Sequence, residues 1–170
     1  MARLDDLADT VLRQALAMAD QHSGAASGSA DLASLLPSPG FASRLELALA
    51  AGVARVLGQH DSRIVAVFGY QPALASRQPP ELPDAVAIRL LIVVTAPSAA
   101  LQSFVGSLER ALAASWRALP AVRPWRRELV LDANIMAQPA FDGGFGLAGL
   151  LSAAPAAPIR LWSGAAGPNG

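Results

Sequence analysis

Three short apolar segments, separated by a loop and by a long helix, constrain the fold of this chain more than any other feature. Residues 62–69, 85–95 and 127–133 are rich in Val, Ile and Leu, which predicts three strands. An amphipathic pattern over 98–118 lies between the last two and predicts a helix. A strand–helix–strand unit places its two strands parallel in one sheet. We therefore predict an α/β (α+β) fold, in which helices pack on a small mixed sheet.

The residues before the first strand are predicted to be helical. An apolar stripe runs along 3–21, and a second amphipathic helix spans about 42–59. The stripe consists of Leu4, Leu7, Val11, Leu12, Ala15 and Met18. Because isolated helices of this length are marginal in water, the stripe must pack on its own domain or against a second copy. The second outcome predicts a homodimer.

Changes in composition along the chain predict its domain organisation. A Gly/Ser/Ala-rich connection follows the first helix, and Pro-rich and Gly-rich segments punctuate the rest. We expect an N-terminal helical extension over 1–40, one α/β domain over 41–163 and a disordered tail over 164–170. A loop is predicted over 71–84, a short helix over 31–36 and a last short strand over 159–162.

Composition excludes several classes of function. The 170 residues carry 13 basic and 13 acidic side chains and no cysteine. A balanced charge disfavours a nucleic-acid partner, and the absence of cysteine excludes disulfides and thiolate catalysis. Every basic residue is arginine, so lysine chemistry is excluded as well. No apolar run approaches the roughly 20 residues of a membrane span, and the N-terminus is acidic. We expect a bacterial-type cytoplasmic protein.

The order of elements over about 42–163 resembles that of nucleotidyltransferase-like proteins. A helix leads into an apolar strand that ends in Phe68-Gly69, and a loop leads to the apolar strand around Arg89. A long helix, a strand containing Asp132 and a short terminal strand follow. In that family a Gly-Ser turn holds a nucleotide phosphate, and two acids one residue apart on the next strand hold Mg²⁺. The resemblance thus implies a nucleotide site near Gly69.

The chain departs from the family at the residues that carry the chemistry. Tyr70 replaces the serine after the glycine, and Ala87 and Arg89 replace the two metal-binding acids. We therefore expect a degenerate, non-catalytic member without a cofactor, acting in ligand binding, regulation or assembly. The ligand would be a nucleotide or another anionic small molecule. Its predicted binding residues are Gly69, Tyr70, Arg89 and Asp132.

Other interpretations stay open. In a second alignment Asp84 stands for the first acid, and Asp84 and Asp132 hold Mg²⁺ in an active nucleotidyltransferase. A purely structural interaction domain without a small-molecule site is the other alternative. Arg89 itself either pairs with Asp132 on the neighbouring strand or binds an anion through its planar guanidinium.

Three further motifs have mainly structural interpretations. The segment 124–127 combines a tryptophan with arginines, but without a wider basic surplus it reads as a loop. The glycine-rich segment 143–146 predicts a tight turn. His22 and His60 lie at predicted helix ends with no neighbouring ligand motif, which argues against a zinc site.

Overall fold

The computed structural model describes residues 3–21, 39–70, 86–119, 128–154 and 157–164. The helices in these ranges are α1 (Leu4–Gln21), α2 (Pro39–His60), α3 (Ala99–Ala118), α4 (Gln138–Asp142) and α5 (Leu147–Ser152). The strands are β1 (Ile64–Gly69), β2 (Val86–Val94), β3 (Leu129–Ala137) and β4 (Ile159–Ser163).

The long helices and all the predicted strands are present, with two differences at the third strand. β3 continues to Ala137 instead of ending at residue 133, because it pairs with β2 along its whole length. The short helix α4 follows directly and was not predicted; Pro139 occupies its first turn, where proline fits a helix. The helix predicted over 31–36 and the loop predicted over 71–84 lie outside the described residues.

The described strands form one mixed sheet in the order β3-β2-β1-β4. β2 and β3 run parallel, as the strand–helix–strand order predicted, while β1 is antiparallel to both β2 and β4. Register shifts in β1 between Ile64 and Ala66 and between Val67 and Phe68 mark bulges. The prediction of a small mixed sheet with packed helices is confirmed.

One face of the sheet, which we call the helix face, carries α2 and α3, and α1 packs on these two helices. Alternate residues of β2 face these helices, among them Leu90 and Ile92, and both are fully buried in the main core. Trp116 of α3 is among the largest fully buried side chains. Ser98 caps α3 by accepting a hydrogen bond from the N–H of Leu101 at 3.2 Å. The helix face thus holds most of the buried apolar surface.

Helix α1 belongs to this same core. Leu12 and Ala15 are buried against α2 and α3, and Leu4 and Leu7 pack partly against the same cluster. Of the predicted stripe, Met18 remains 53% exposed. The structure therefore gives the stripe a partner within its own chain, and a homodimer does not need α1.

The opposite face carries a smaller apolar cluster. Ala66 and Phe68 of β1, Leu91 and Val93 of β2 and Leu151 of α5 form it. The ring of Phe141 in α4 stacks on Phe68 at 5.2 Å between centroids. The segment containing α4 and α5 therefore covers part of this face.

Candidate functional site

Four polar side chains lie together on the face opposite the helices, namely Tyr70, Arg89, Asp132 and Asn134. We call this group the polar end. Arg89 of β2 pairs in register with Asp132 of the parallel strand β3. The backbone N–H of Tyr70, directly after β1, donates to the carbonyl of Arg89 at 3.2 Å. Three adjacent strands thus place these residues side by side.

Asn134 connects two of these groups. Its Nδ2 donates to the hydroxyl oxygen of Tyr70 at 3.1 Å and to Oδ1 of Asp132 at 3.3 Å. Residues two apart on a strand point to the same face, so β3 presents Asp132 and Asn134 together. The amide thereby fixes the position of the phenol relative to the carboxylate.

The Arg89 guanidinium keeps most of its hydrogen-bonding capacity. Its Nε lies 3.9 Å from Oδ2 of Asp132, which is an ion pair but too long for a hydrogen bond. Within the described residues no other group accepts a hydrogen bond from this guanidinium. The side chain of Arg89 is 25% exposed and that of Asp132 53%. Arg89 is therefore partly shielded from water and has N–H donors left for a ligand.

The environment of Tyr70 favours the neutral phenol. Partial burial raises the pKa of Tyr70 above its usual value, and the nearby Asp132 carboxylate raises it further. The hydrogen bond from Asn134 and the charge of Arg89 act in the opposite direction. A tyrosine is already a neutral hydroxyl at neutral pH, and this environment keeps Tyr70 in the form that can both donate and accept.

Arg160 supplies a second cation on the same face. Its guanidinium carbon lies 5.2 Å from the ring centroid of Phe68, a cation–π distance, and the two residues are register partners. Arg160 lies on β4 and Arg89 on β2, so two strand spacings, about 10 Å, separate their strands. The face therefore carries two arginines, Arg89 and Arg160, beside the carboxylate of Asp132.

The structure places three of the four sequence-predicted site residues in the polar end. Gly69 is the exception, because a Cβ at this position would point to Leu161 and lie 2.9 Å from its Cδ1. Leu161 packs against the helix-face core. Gly69 therefore permits close packing between β1 and β4 and adds nothing to the polar end except its backbone.

Sequence reasoning missed Asn134. The predicted third strand ended at Ala133, which removed Asn134 from the strand and from consideration. The signal was the pair Asp132 and Asn134 itself, since polar residues two apart on a strand share a face.

The described residues offer few metal ligands at the polar end. Asp132 is its single carboxylate, and no group of three or more His, Cys, Asp or Glu side chains suited to a metal occurs in the described ranges. The neighbouring Arg89 cation competes for the same carboxylate. Asp84, the other acid of the magnesium alternative, lies outside the described residues.

The remaining motifs have local roles where the structure describes them. Residues 143–146 form the predicted turn between α4 and α5, with the N–H of Gly143 donating to the carbonyl of Pro139 at 3.1 Å. His60 stacks on Phe104 at 3.5 Å between ring centroids. Segment 124–127 and His22 lie outside the described ranges.

Comparison with known proteins adds no assignment. No family model matches this chain, and neither a curated protein nor a solved structure matches it. Within the described residues no helix is both long and apolar enough to cross a membrane.

Proposed function

We propose that this chain is a non-catalytic binding domain whose polar end binds an anionic small molecule. The observation that carries the proposal is the partly buried Arg89 guanidinium, whose N–H donors are left without acceptors in the described residues. A planar guanidinium binds phosphate or carboxylate oxygens through two parallel hydrogen bonds. Partial shielding from water strengthens such a contact.

The neighbouring groups suit a ligand that is larger than a single anion. Tyr70 and Asn134 present a hydroxyl and an amide that donate and accept. Arg160, two strands away, favours additional negative charge on the same ligand. A nucleotide combines extended negative charge with polar edges and fits this set, in line with the resemblance to nucleotidyltransferase-like proteins.

The same groups argue against phosphoryl transfer. Metal-assisted transfer relies on several carboxylates that hold one or two divalent ions. Among the described residues of the polar end a single carboxylate faces a guanidinium instead. Binding without turnover is therefore the function that this chemistry favours.

Calorimetric titration of the full chain with ATP, GTP, pyrophosphate and inorganic phosphate, each with and without Mg²⁺, tests the proposal. We expect binding without Mg²⁺, weakened about tenfold or more by Arg89→Gln, since a hydrogen bond to a charged group contributes roughly 1.5–3 kcal/mol. Arg160→Gln should weaken the pyrophosphate and nucleotide complexes by a smaller factor. Arg117→Gln is the matched control, because Arg117 lies exposed on α3 and its Nε bonds only the Ala113 carbonyl at 3.1 Å.

Two results would redirect the assignment. Binding that requires Mg²⁺, is lost in Asp132→Asn and Asp84→Asn, and is accompanied by nucleotide transfer would establish the active nucleotidyltransferase. Failure of all four probes to bind at millimolar concentration would reject the proposal and favour a purely structural interaction domain.

A further inference from the structure

The outer edge of β3 lacks a partner among the described residues. β3 is nine residues long and hydrogen-bonds to β2 on one side. On its other side the N–H and C=O groups of alternate residues point away from the sheet, which makes such an edge a template for another strand. The opposite edge, β4, is five residues long and follows Pro158. Short edge strands are a common protection against pairing with another chain. Of the two edges, the longer β3 is therefore the better template for a partner strand.

We propose that β3 pairs antiparallel with β3 of a second copy of this chain, around a two-fold axis at Ala133. Ala133 is the middle residue of Leu129–Ala137, so this register matches the strand with its copy over the full length. A two-fold axis is the commonest symmetry of homo-oligomers and requires a self-complementary surface. The two sheets then form one continuous sheet across both subunits.

The side chains of β3 are complementary in this register. Asp132 lies opposite the partner subunit's Asn134, and by symmetry Asn134 lies opposite the partner subunit's Asp132. An amide donates to a carboxylate in each pair, and directly opposed residues have Cβ atoms only about 4.5–5.5 Å apart. The same two residues are about 6.5–7 Å apart along one strand.

This distance difference favours a hydrogen bond across the axis over the one within the strand. Within one chain Asn134 already donates to Asp132 at 3.3 Å, near the long limit for a hydrogen bond. In the dimer this donor turns to the closer carboxylate of the partner while the 3.1 Å bond to the Tyr70 hydroxyl is kept. Two hydrogen bonds across the axis replace two longer ones within the strands.

The helix face of β3 supports the same register. Leu131 lies opposite the partner subunit's Ile135, an aliphatic pair of the kind that stabilises neighbouring strands. Ile135 and Ala133 are only partly buried in the single chain, although they pack against the main core. Pairing covers the apolar surface that they expose at the edge.

Neighbouring two-fold registers are worse. An axis at Asp132 places two Asp132 carboxylates directly opposite each other, which is repulsive. An axis at Asn134 places Asp132 opposite the partner subunit's Met136 and leaves Leu129 and Val130 of each strand unpaired. The sequence of β3 therefore selects the axis at Ala133.

Sedimentation of the full chain without ligand, over a range of concentrations, measures its self-association. Variants that change the charges of β3 then test the proposed pairing. We expect a monomer–dimer equilibrium. Asn134→Asp places carboxylates opposite each other on both sides of the axis and should weaken association about tenfold or more. Adding Asp132→Asn to the same chain restores an amide opposite a carboxylate and should return association to within about threefold of the original. Circular dichroism of each variant checks that the fold is retained.

Cysteine cross-linking tests the position of the axis. The natural chain has no cysteine, so Ala133→Cys introduces a single thiol that meets its own copy across the axis and should form a disulfide-linked dimer. Ser163→Cys on the β4 edge is the matched control and should form no disulfide-linked dimer under the same oxidation, although its β3 edge still associates. A monomer at all concentrations would overturn the proposal. A dimer whose association is unchanged by Asn134→Asp would also overturn it, and so would a dimer that cross-links through Ser163→Cys. Each result places the contact elsewhere.

Discussion

The two faces of the sheet differ in what covers them. Two long helices, α2 and α3, cover the helix face and α1 packs on them; Ile88, Leu90 and Ile92 of β2 point to this face and are fully buried. The opposite face has a small apolar cluster under two short helices and ends in four polar groups. In β2 this contrast is confined to one position: Leu91 and Val93 on the opposite face are as fully buried as Leu90, whereas Arg89 faces the polar end and is 25% exposed.

This difference separates stability from binding. Burial of apolar area is the dominant favourable contribution to folding, and most of it lies on the helix face. Within the described residues, the partly covered face presents polar groups with hydrogen-bonding capacity left over, which a ligand requires. Changes on the helix face should therefore alter the free energy of unfolding, and changes at the polar end should alter binding and titration.

The largest expected effect comes from truncating one aromatic side chain on each face. Trp116→Ala removes a fully buried indole from the helix face and should lower the free energy of unfolding by about 3–5 kcal/mol. Phe141→Ala removes a partly buried ring from the other face and should cost about 1–2 kcal/mol, mostly from its stacking on Phe68. Urea denaturation measures both, and equal costs would contradict the contrast between the faces.

A second expectation concerns how closely β4 approaches the helices. A Cβ at Gly58 of α2 would collide with the indole of Trp162, so Gly58→Ala should destabilise by about 1–3 kcal/mol. Gly106→Ala in α3 is the matched control, because a Cβ there meets no atom within 4 Å. It should stabilise by about 0.5–1 kcal/mol through helix propensity. The two shifts in urea midpoint should have opposite signs, and a stabilising Gly58→Ala would disprove the close packing.

A smaller effect is expected in acid, from the turn between α2 and β1. Hydrogen bonds from the Arg63 side chain, at 2.6 and 2.9 Å, hold the pKa of Asp61 below its usual value. A carboxyl whose folded-state pKa is lowered stabilises the fold above the unfolded pKa of about 4, and this contribution disappears as pH falls through the folded value. Asp61→Asn should flatten this part of the stability–pH curve. If the loss of stability at low pH is the same in Asp61→Asn as in the original chain, other carboxyls determine it.

The smallest expected effect is a change in the pKa of Tyr70 at the polar end, measured by pH titration. Tyr70 is the single tyrosine of the chain, so tyrosinate absorbance reports its pKa directly. Asp132→Asn removes a charge that raises this pKa and should lower it. Because the folded-state pKa is raised, the contribution to stability is complete below the unfolded value of about 10 and is lost as pH rises through the folded value. A Tyr70 pKa that does not respond to Asp132→Asn would contradict the arrangement of the polar end.

Much of the polar end could be predicted from the residues. Tyr70, Arg89 and Asp132 were expected to share a site, and β1, β2 and β3 bring them side by side. Asn134 was not predicted as part of the site because the end of a strand depends on how far its neighbour continues. Pairing with β2 extends β3 to Ala137. The packing role of Gly69 likewise depends on Leu161, which is distant in sequence and lies where a Cβ of residue 69 would point.

The sequence by itself determined the type and order of the long elements and the parallel pairing of β2 with β3. These follow from periodicity and from crossover geometry, which act within neighbouring stretches of chain. Only the tertiary structure decided that β1 lies antiparallel between β2 and β4, that α1 packs in its own core, and that, among the described residues, short helices cover one sheet face only in part. Such choices depend on contacts between residues far apart in the chain, where total buried area, and not local pattern, selects among possible partners.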